Sequence, residues 1–411
     1  MTHTETDATP ARTFGRILRD RNAGLYLGAV LVSGFGSTAM WLASGIWVKE
    51  LTGSNGLAAL CQLALWLPTL LGPLLGTLAD RTRRRPLLVA VNLGLAVLLL
   101  PLFAVDAADR LWILFVVLVA YGACGVVADA AEAALVATAV DKELLGDFNG
   151  LRMSANEGMK LVAPLAGAGL FAAYGGSRVA LLDAVTFVLA AGMYLLLRVS
   201  ESTPARDTAG WRTETAEGAR YLWGHRELRP LVLAGGLTML ASGLGSGTLY
   251  AIIDGLGHSP AYSGVLYVAQ GAATVLLGVV SGPVMRRFGE RGFAGAGIAL
   301  TGLSAALQAL PSDAAVLAGS VANGLGLPCV LIAGLTAVQR RTPDALVGRV
   351  AATANTLMFA PTALGIALGA ALVETVDHRV LLLMLAGARL LVAAPLFKSL
   401  PVPATSRPPS A

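Results

Sequence analysis

The chain is built from apolar runs, most of them about 20 residues long, separated by short charged segments. A helix of about 20 apolar residues crosses the hydrocarbon core of a bilayer. Only 13% of the residues are charged, against roughly a quarter in soluble domains. The pattern predicts an all-α polytopic membrane protein with twelve transmembrane helices. The predicted spans cover residues 24–48, 57–79, 86–105, 111–139, 149–173, 178–197, 230–252, 261–285, 292–310, 314–338, 350–373 and 380–397.

The runs fall into two groups of six on either side of a polar segment. Residues 22–198 and 230–398 would form two six-helix bundles, and residues 199–229 a cytoplasmic linker with an amphipathic helix. Residues 1–21 would be a cytoplasmic tail, and residues 399–411 a disordered one. The halves also share short sequence patterns, as parallel pseudo-repeats do in secondary transporters whose substrate cavity lies between the repeats.

Lysine and arginine are unevenly distributed between the connecting segments. With both termini in the cytoplasm, 23 of the 30 basic residues lie in inside segments and four in outside ones. Such a bias sets the orientation of membrane proteins. We therefore expect a multi-pass protein of the cytoplasmic (inner) membrane with both termini cytoplasmic. Because the net charge of +5 comes from loops, nucleic acid is not an expected partner.

Cysteine and histidine usage predicts neither a metal site nor a disulfide framework. The three cysteines, Cys61, Cys124 and Cys329, are odd in number and lie inside apolar runs. The four histidines lie near ends or in loops. We expect no cofactor, no metal and no enzymatic activity.

The segment between the second and third spans reads GTLADRTRRR and is similar to the signature loop of the major facilitator superfamily. Two more stretches, 214–229 and 339–350, resemble the macrolide-efflux branch of its drug:proton antiporters. The resemblance implies two six-helix pseudo-repeats, a small-molecule substrate and protons as the coupling ion. The partners are thus the substrate, protons and the lipid bilayer, and we expect a monomer.

In that superfamily the loop is implied to hold the two halves together on the cytoplasmic side. A carboxylate at a helix end can pair with arginines and with the positive end of a neighbouring helix. The alternative is a charge cluster that only keeps the loop inside the cell. The predicted conformational latch consists of Gly76, Asp80, Arg81, Arg84 and Arg85.

Ionisable residues inside spans are candidates for function, because a charge at the bilayer centre costs about 2.5–3.5 kcal/mol or more. Asp129 and Glu132 are three residues apart and so share a helix face, as do Glu157 and Lys160. Asp129 and Glu157 would each lie about 15 Å from the cytoplasmic helix ends. We predict one proton or substrate site from these four residues; the alternative is a structural ion-pair cluster.

Asp183 and Arg389 are secondary candidates within spans. Asp183 is as much a packing or capping residue as a functional one. Arg389 is predicted to extend towards the cytoplasmic face, with a role as counter-charge to the acids as the alternative. Pro164 and Gly167 resemble the helix-bending pattern of antiporters, and Pro361 takes the place of Pro164 in the second half.

These patterns predict a secondary exporter of small amphiphilic or cationic organic compounds, drug- or antibiotic-like, driven by protons through alternating access. A dedicated exporter of a metabolite such as a siderophore, or an uptake permease, is the alternative, because direction of transport cannot be read from residues. An intramembrane enzyme or a non-transporting receptor is disfavoured, since the sequence contains no nucleophile–base set, metal-ligand pair or nucleotide loop.

Overall fold

The computed structural model describes residues 20–72, 75, 82–139, 159, 162–199, 211–343 and 346–398. Every regular element within these ranges is helical. The helices are α1 (Arg21–Thr52), α2 (Asn55–Trp66), α3 (Arg84–Leu98), α4 (Leu111–Ala139), α5 (Val162–Tyr174), α6 (Gly176–Leu196), α7 (Trp211–Gly224), α8 (Leu228–Ser246), α9 (Leu249–Gly255), α10 (Ser263–Gln308), α11 (Asp313–Arg341), α12 (Val347–Leu372) and α13 (His378–Lys398).

Nine helices in the described ranges are long and apolar enough to cross a membrane. One of them, α10, contains both the eighth and the ninth predicted spans and is broken at Gly289. Its φ of 70° lies in the left-handed region that favours glycine. Two shorter apolar helices, Asn55–Leu71 and Val162–Tyr174, lie at the second and fifth predicted spans. The all-α polytopic fold is thus confirmed, and the helices are consistent with twelve spans.

Large apolar side chains stay exposed along the spans. Val279 is 78% exposed, Leu391 76% and Leu276 66%. Apolar surface on this scale is unusual on a soluble monomer, and hydrocarbon is the solvent in which it costs nothing. The chain is a multi-pass membrane protein.

The described residues divide into two compact units. The first unit contains the residues up to 199 together with 246–272 and 366–377. The second unit contains residues 211–245, 273–365 and 378–398. The predicted domain boundaries follow the sequence repeat instead, and they stay a prediction.

The linker helix α7 packs within the second unit. The carboxylate of Glu217 lies 2.5 Å from the Arg349 guanidinium, and the Tyr221 hydroxyl donates to the Arg341 carbonyl oxygen at 2.9 Å. A Cβ on Gly218 would lie 2.6 Å from the Arg349 carbonyl oxygen, so the backbones are in contact. The two stretches that resemble the macrolide-efflux branch therefore bind each other.

Gly167 lets α5 approach α1 closely in the first unit. A Cβ at this position would lie 2.7 Å from the Cα atom of Ala39 and 2.8 Å from its carbonyl oxygen. Small residues at such crossings allow helix backbones to pack tightly in membranes. The structure thus gives Gly167 a packing role, while helix bending by Pro164, Gly167 and Pro361 stays a prediction.

We expect Gly167→Ala to destabilise the protein by about 1–3 kcal/mol, as overpacking typically does, because the new methyl group meets backbone that cannot move aside. Gly169 is the matched control, since a Cβ there meets nothing within 4 Å. The measurement is thermal unfolding of both purified variants in the same detergent. Equal unfolding temperatures for Gly167→Ala and Gly169→Ala would contradict the close approach.

Candidate functional site

Two tyrosine–carboxylate hydrogen bonds connect α4 and α6. The Tyr121 hydroxyl donates to Asp183 Oδ2 at 2.8 Å, and the Tyr194 hydroxyl donates to Glu132 Oε1 at 2.7 Å. The helices exchange roles, because α4 supplies one tyrosine and one acid and α6 supplies the other two. On each helix the two positions are eleven residues apart, about three helical turns. The pairs therefore fix both the rotation and the register of α4 against α6.

Glu132 is a predicted site acid whose hydrogen bonds to α1 and α6 lie among the described residues. Its side chain is half-buried, and its backbone carbonyl oxygen accepts from the Tyr26 hydroxyl of α1 at 3.1 Å. Tyr26 packs edge-on against Tyr194 with ring centroids 6.1 Å apart. Asp129, one turn earlier on α4, is exposed. Glu157 and Lys160 lie outside the described residues, so the predicted four-residue site stays a prediction.

Asp183 is fully buried, with 0% exposure, where α1, α4 and α6 meet. Besides Tyr121, the Thr186 hydroxyl lies 3.2 Å from its carboxylate. A Cβ at Gly36 of α1 would lie 2.4 Å from Asp183 Oδ1, so only glycine leaves room for the carboxylate. This arrangement supports the packing interpretation of Asp183.

The basic end of the predicted latch binds the C-terminal end of α6. Arg85 Nε donates to the Tyr194 carbonyl oxygen at 3.1 Å, and Arg85 Nη2 donates to that of Leu195. Arg21 Nη2 donates to the Leu196 carbonyl oxygen at 3.3 Å. Arginines at this position bind the last carbonyls of the helix and complement the helix dipole.

The remaining latch residues are only partly covered by the structure. Arg84 is the first residue of α3. Gly76, Asp80 and Arg81 lie outside the described residues, so the latch itself stays a prediction.

Arg389 is buried in the second unit. The residue as a whole is only 6% exposed. Its Nη1 donates to the Thr301 carbonyl oxygen at 2.8 Å, and its Nη2 lies 3.4 Å from Ser242 Oγ. Its Nε is buried without a hydrogen-bond partner in the described structure. The predicted extension to the cytoplasmic face is therefore wrong, because the guanidinium is enclosed by α8, α10 and α13.

A polar cluster that the sequence reasoning missed surrounds the α1–α2 turn in the first unit. Lys49 is 8% exposed, and its ammonium donates to Asp254 Oδ2 at 2.5 Å, Asn55 Oδ1 at 2.7 Å and the Gly53 carbonyl oxygen at 2.8 Å. All three ammonium hydrogens are thus used. Gly53, with a φ of 69°, ends α1 and turns the chain back towards Lys49.

Glu374 completes this cluster from the turn after α12. Its Oε1 accepts from the Ser54 hydroxyl and from the Gly56 backbone N–H, both at 2.7 Å. Hydrogen bonds from Gly56 and from Ser54 hold the pKa of the Glu374 carboxyl below its ordinary value. A Cβ on Gly56 would lie 2.5 Å from the Ala370 carbonyl oxygen, so α2 and α12 are in backbone contact here. We call Lys49, Ser54, Asn55, Asp254 and Glu374 the turn cluster.

An aromatic pocket lies beside the turn cluster in the first unit. Trp41 and Tyr267 form an edge-on pair with centroids 4.9 Å apart. With Tyr250, Gln62 and neighbouring small residues they enclose a cavity of about 20 Å³, room for one water molecule. A Cβ on Gly45 would lie 2.5 Å from the Tyr250 hydroxyl, which shows how tightly the ring packs.

The family model described as Major Facilitator Superfamily matches residues 26–250 and 231–411. No curated protein sequence matches the chain. A crystal structure of a mutant of the nucleoside transporter NupG is similar, with a TM-score of 0.74 at 13% identity, covering 91% of this chain and 99% of that one.

Two bacterial transporters give comparable matches. A homologue of the iron transporter ferroportin in the inward-facing state has a TM-score of 0.70 at 17% identity, covering 93% of this chain and 98% of that one. A homologue of the human lysosomal transporter Spinster has a TM-score of 0.67 at 14% identity, covering 94% and 100%. At these identities the likeness concerns the fold.

The hydrogen bonds of Glu374 are expected to weaken in acid. Because its pKa is lowered on folding, its stabilising effect is complete above the ordinary value of about 4.5 and is lost as the pH falls through the lowered pKa. The difference in unfolding temperature between the wild type and Glu374→Gln should therefore be constant near neutral pH and shrink below a pH of about 4.5.

Asp109→Asn is the control, since Asp109 is an exposed carboxylate in the α3–α4 connection. The wild-type protein and both variants are measured at each pH in the same detergent. If the unfolding temperatures of the wild type and of Glu374→Gln differ by the same amount in strong acid as at neutral pH, the lowered pKa of Glu374 is contradicted.

Proposed function

The chain belongs to the Major Facilitator Superfamily, and we propose that it is a proton-driven exporter of small organic compounds. Membership makes it a membrane transport protein rather than an enzyme. The proposed substrates are amphiphilic, drug- or antibiotic-like molecules. The proposed location is the cytoplasmic membrane, with both termini inside and the monomer as the working unit. The stretches resembling the macrolide-efflux branch, which bind each other through Glu217 and Arg349, support export.

The observation that carries proton coupling is the position of Glu132 inside a span. Its carboxylate accepts a hydrogen bond from the Tyr194 hydroxyl of α6. Asp129 lies one turn away on the same helix and is exposed. Two carboxyl groups in a low-dielectric span attract a cation, which is either a proton or a cationic group of the substrate. Competition between these two cations for one site would couple export to proton entry.

Alternating access requires contacts that break when the protein changes state. The turn cluster is the proposed contact on the outer side. It joins the α1–α2 turn, at a predicted outside position, to Asp254 and Glu374, which come from the second sequence repeat. On the inner side, the proposed contact is the latch around Asp80, whose neighbour Arg85 binds α6. Opposing sets of breakable polar contacts would let one state exclude the other.

Removing the ionisable groups of α4 should abolish proton-driven efflux. Glu132→Gln keeps an acceptor for the Tyr194 hydroxyl but cannot exchange a proton, and Asp129→Asn does the same at the exposed position. We expect either change to lower the proton-driven rate by about 100-fold or more, as the loss of a proton-transferring group typically does. The measurement is efflux from proteoliposomes with and without an imposed pH gradient.

Asp106→Asn is the matched control. This carboxylate pairs with Arg110 at 3.0 Å on an exposed connection outside the spans. Efflux by the Asp106→Asn variant should equal that of the wild type. Full gradient-driven efflux by both α4 variants, at normal protein levels, would remove these acids from the mechanism.

Deletion of the gene should raise the sensitivity of cells to amphiphilic toxic compounds, because export lowers their internal concentration. The measurement is growth inhibition of the deletion strain over a panel of amphiphilic antibiotics and organic cations, with complementation by the intact gene. Unchanged sensitivity together with a growth defect on one nutrient would contradict export and identify an uptake permease.

A further inference from the structure

Arg389 lies near the middle of α13. It is eleven residues from His378 and nine from Lys398, so its Cα is about 14–17 Å from either helix end. Lipid phosphates sit at the membrane surfaces, and a side chain in the middle of the span does not reach them when it is enclosed. The charge must therefore be compensated from within the protein or from a bound molecule.

Among the described residues, the guanidinium has two neutral acceptors and no acidic one. It donates to the Thr301 carbonyl oxygen and to Ser242 Oγ, the second at a long 3.4 Å. None of its five N–H groups forms an ion pair with a described carboxylate, and the buried Nε has no acceptor there at all. A buried, unpaired charge and an unmade hydrogen bond are both costly. The site thus suits an anion that the surrounding helices α8, α10 and α13 do not supply.

Two glycines, Gly245 on α8 and Gly302 on α10, let the Arg389 guanidinium lie close to the half-buried face of α8. A Cβ on Gly245 would lie 3.7 Å from Nη2, and one on Gly302 would lie 3.6 Å from the Arg389 Cβ. Ser242 and Gly245 are one turn apart on α8, and both are only partly buried. A molecule against this face of α8 meets the Ser242 hydroxyl and the edge of the guanidinium together.

We propose that Arg389, with Ser242, binds an anionic oxygen group of the transported compound, either a carboxylate or a phosphate. The inference rests on the proposed export function and adds that the substrates include acids or zwitterions rather than cations alone. Arginine suits this role because its planar fork donates two parallel hydrogen bonds to such a group. The Ser242 hydroxyl, which accepts from Arg389, still has its own hydrogen to donate to the anion.

The test measures anion binding directly and needs no transport. Purified wild-type protein in detergent is titrated with sodium acetate in place of sodium chloride at constant ionic strength, and its unfolding temperature is followed. Acetamide, the neutral isostere, and inorganic phosphate are titrated in parallel. We expect the unfolding temperature to rise to a plateau with acetate, phosphate or both, and not to rise with acetamide, because only an anion pairs with the guanidinium.

Three variants locate the binding. Arg389→Met removes the charge and should abolish the rise, and Arg389→Lys keeps the charge without the fork and should weaken binding by about tenfold or more. Arg379→Gln, on the first turn of the same helix, is the matched control and should behave as the wild type. Each variant is used only if it elutes as a single folded species, and the Lys variant serves if the Met variant does not fold.

Two results would overturn the proposal. One is the absence of a saturable anion effect in the wild type. The other is an equal effect in the wild type and in the Arg389 variants. The unfolding assay involves no proton gradient, so it tests anion binding separately from proton-driven efflux. Either proposal can therefore fail while the other holds. A rise with phosphate but not acetate would assign the site to phosphate-bearing substrates.

Discussion

Polar groups inside the spans must find hydrogen-bond partners within the protein, because hydrocarbon offers none. The α4–α6 pair shows how the chain meets this constraint. Tyr121 donates to Asp183, and Tyr194 donates to Glu132, with the donor and acceptor helices exchanged. Both helices are otherwise largely apolar, so these two bonds distinguish one relative rotation from the others. Packing of α1 follows, because Gly36 and Tyr26 contact the same two pairs.

The same constraint distinguishes cationic side chains by whether their N–H groups find hydrogen-bond acceptors in the protein. Lys49 uses all three of its hydrogens on Asp254, Asn55 and the Gly53 carbonyl oxygen, and Arg85 caps the carbonyls at the end of α6. Arg389 differs from Lys49 because both of its acceptors are neutral, and it is buried with an Nε that has no acceptor among the described residues. Natural proteins seldom leave such a group buried without a reason. A buried cation with an unmade hydrogen bond is where a ligand is expected to bind.

The proposed function connects these features through the energetics of charge in a membrane. An exporter needs acids that gain and lose cations, and contacts that form in one state and break in another. Glu132 accepts from the Tyr194 hydroxyl, which stays neutral when the carboxyl group gains or loses a proton. The contacts of the turn cluster are ionic and charge-assisted hydrogen bonds at a span end, where water can replace them when they break. Such contacts are suited to a reversible gate, whereas the buried pair at Asp183 is suited to holding helices together.

The sequence by itself determined the class of the protein. Apolar runs of about 20 residues can only be satisfied as spans, and the loop at residues 76–85 carries a pattern similar to the superfamily's signature. The sequence also singled out Glu132, Asp183 and Arg389, because a charge within a span is rare whatever its partner. Only the tertiary structure decided what those residues contact. Their partners on other helices lie 62 to 147 positions away, and spans that are apolar on nearly every face carry no signal of which side meets which neighbour.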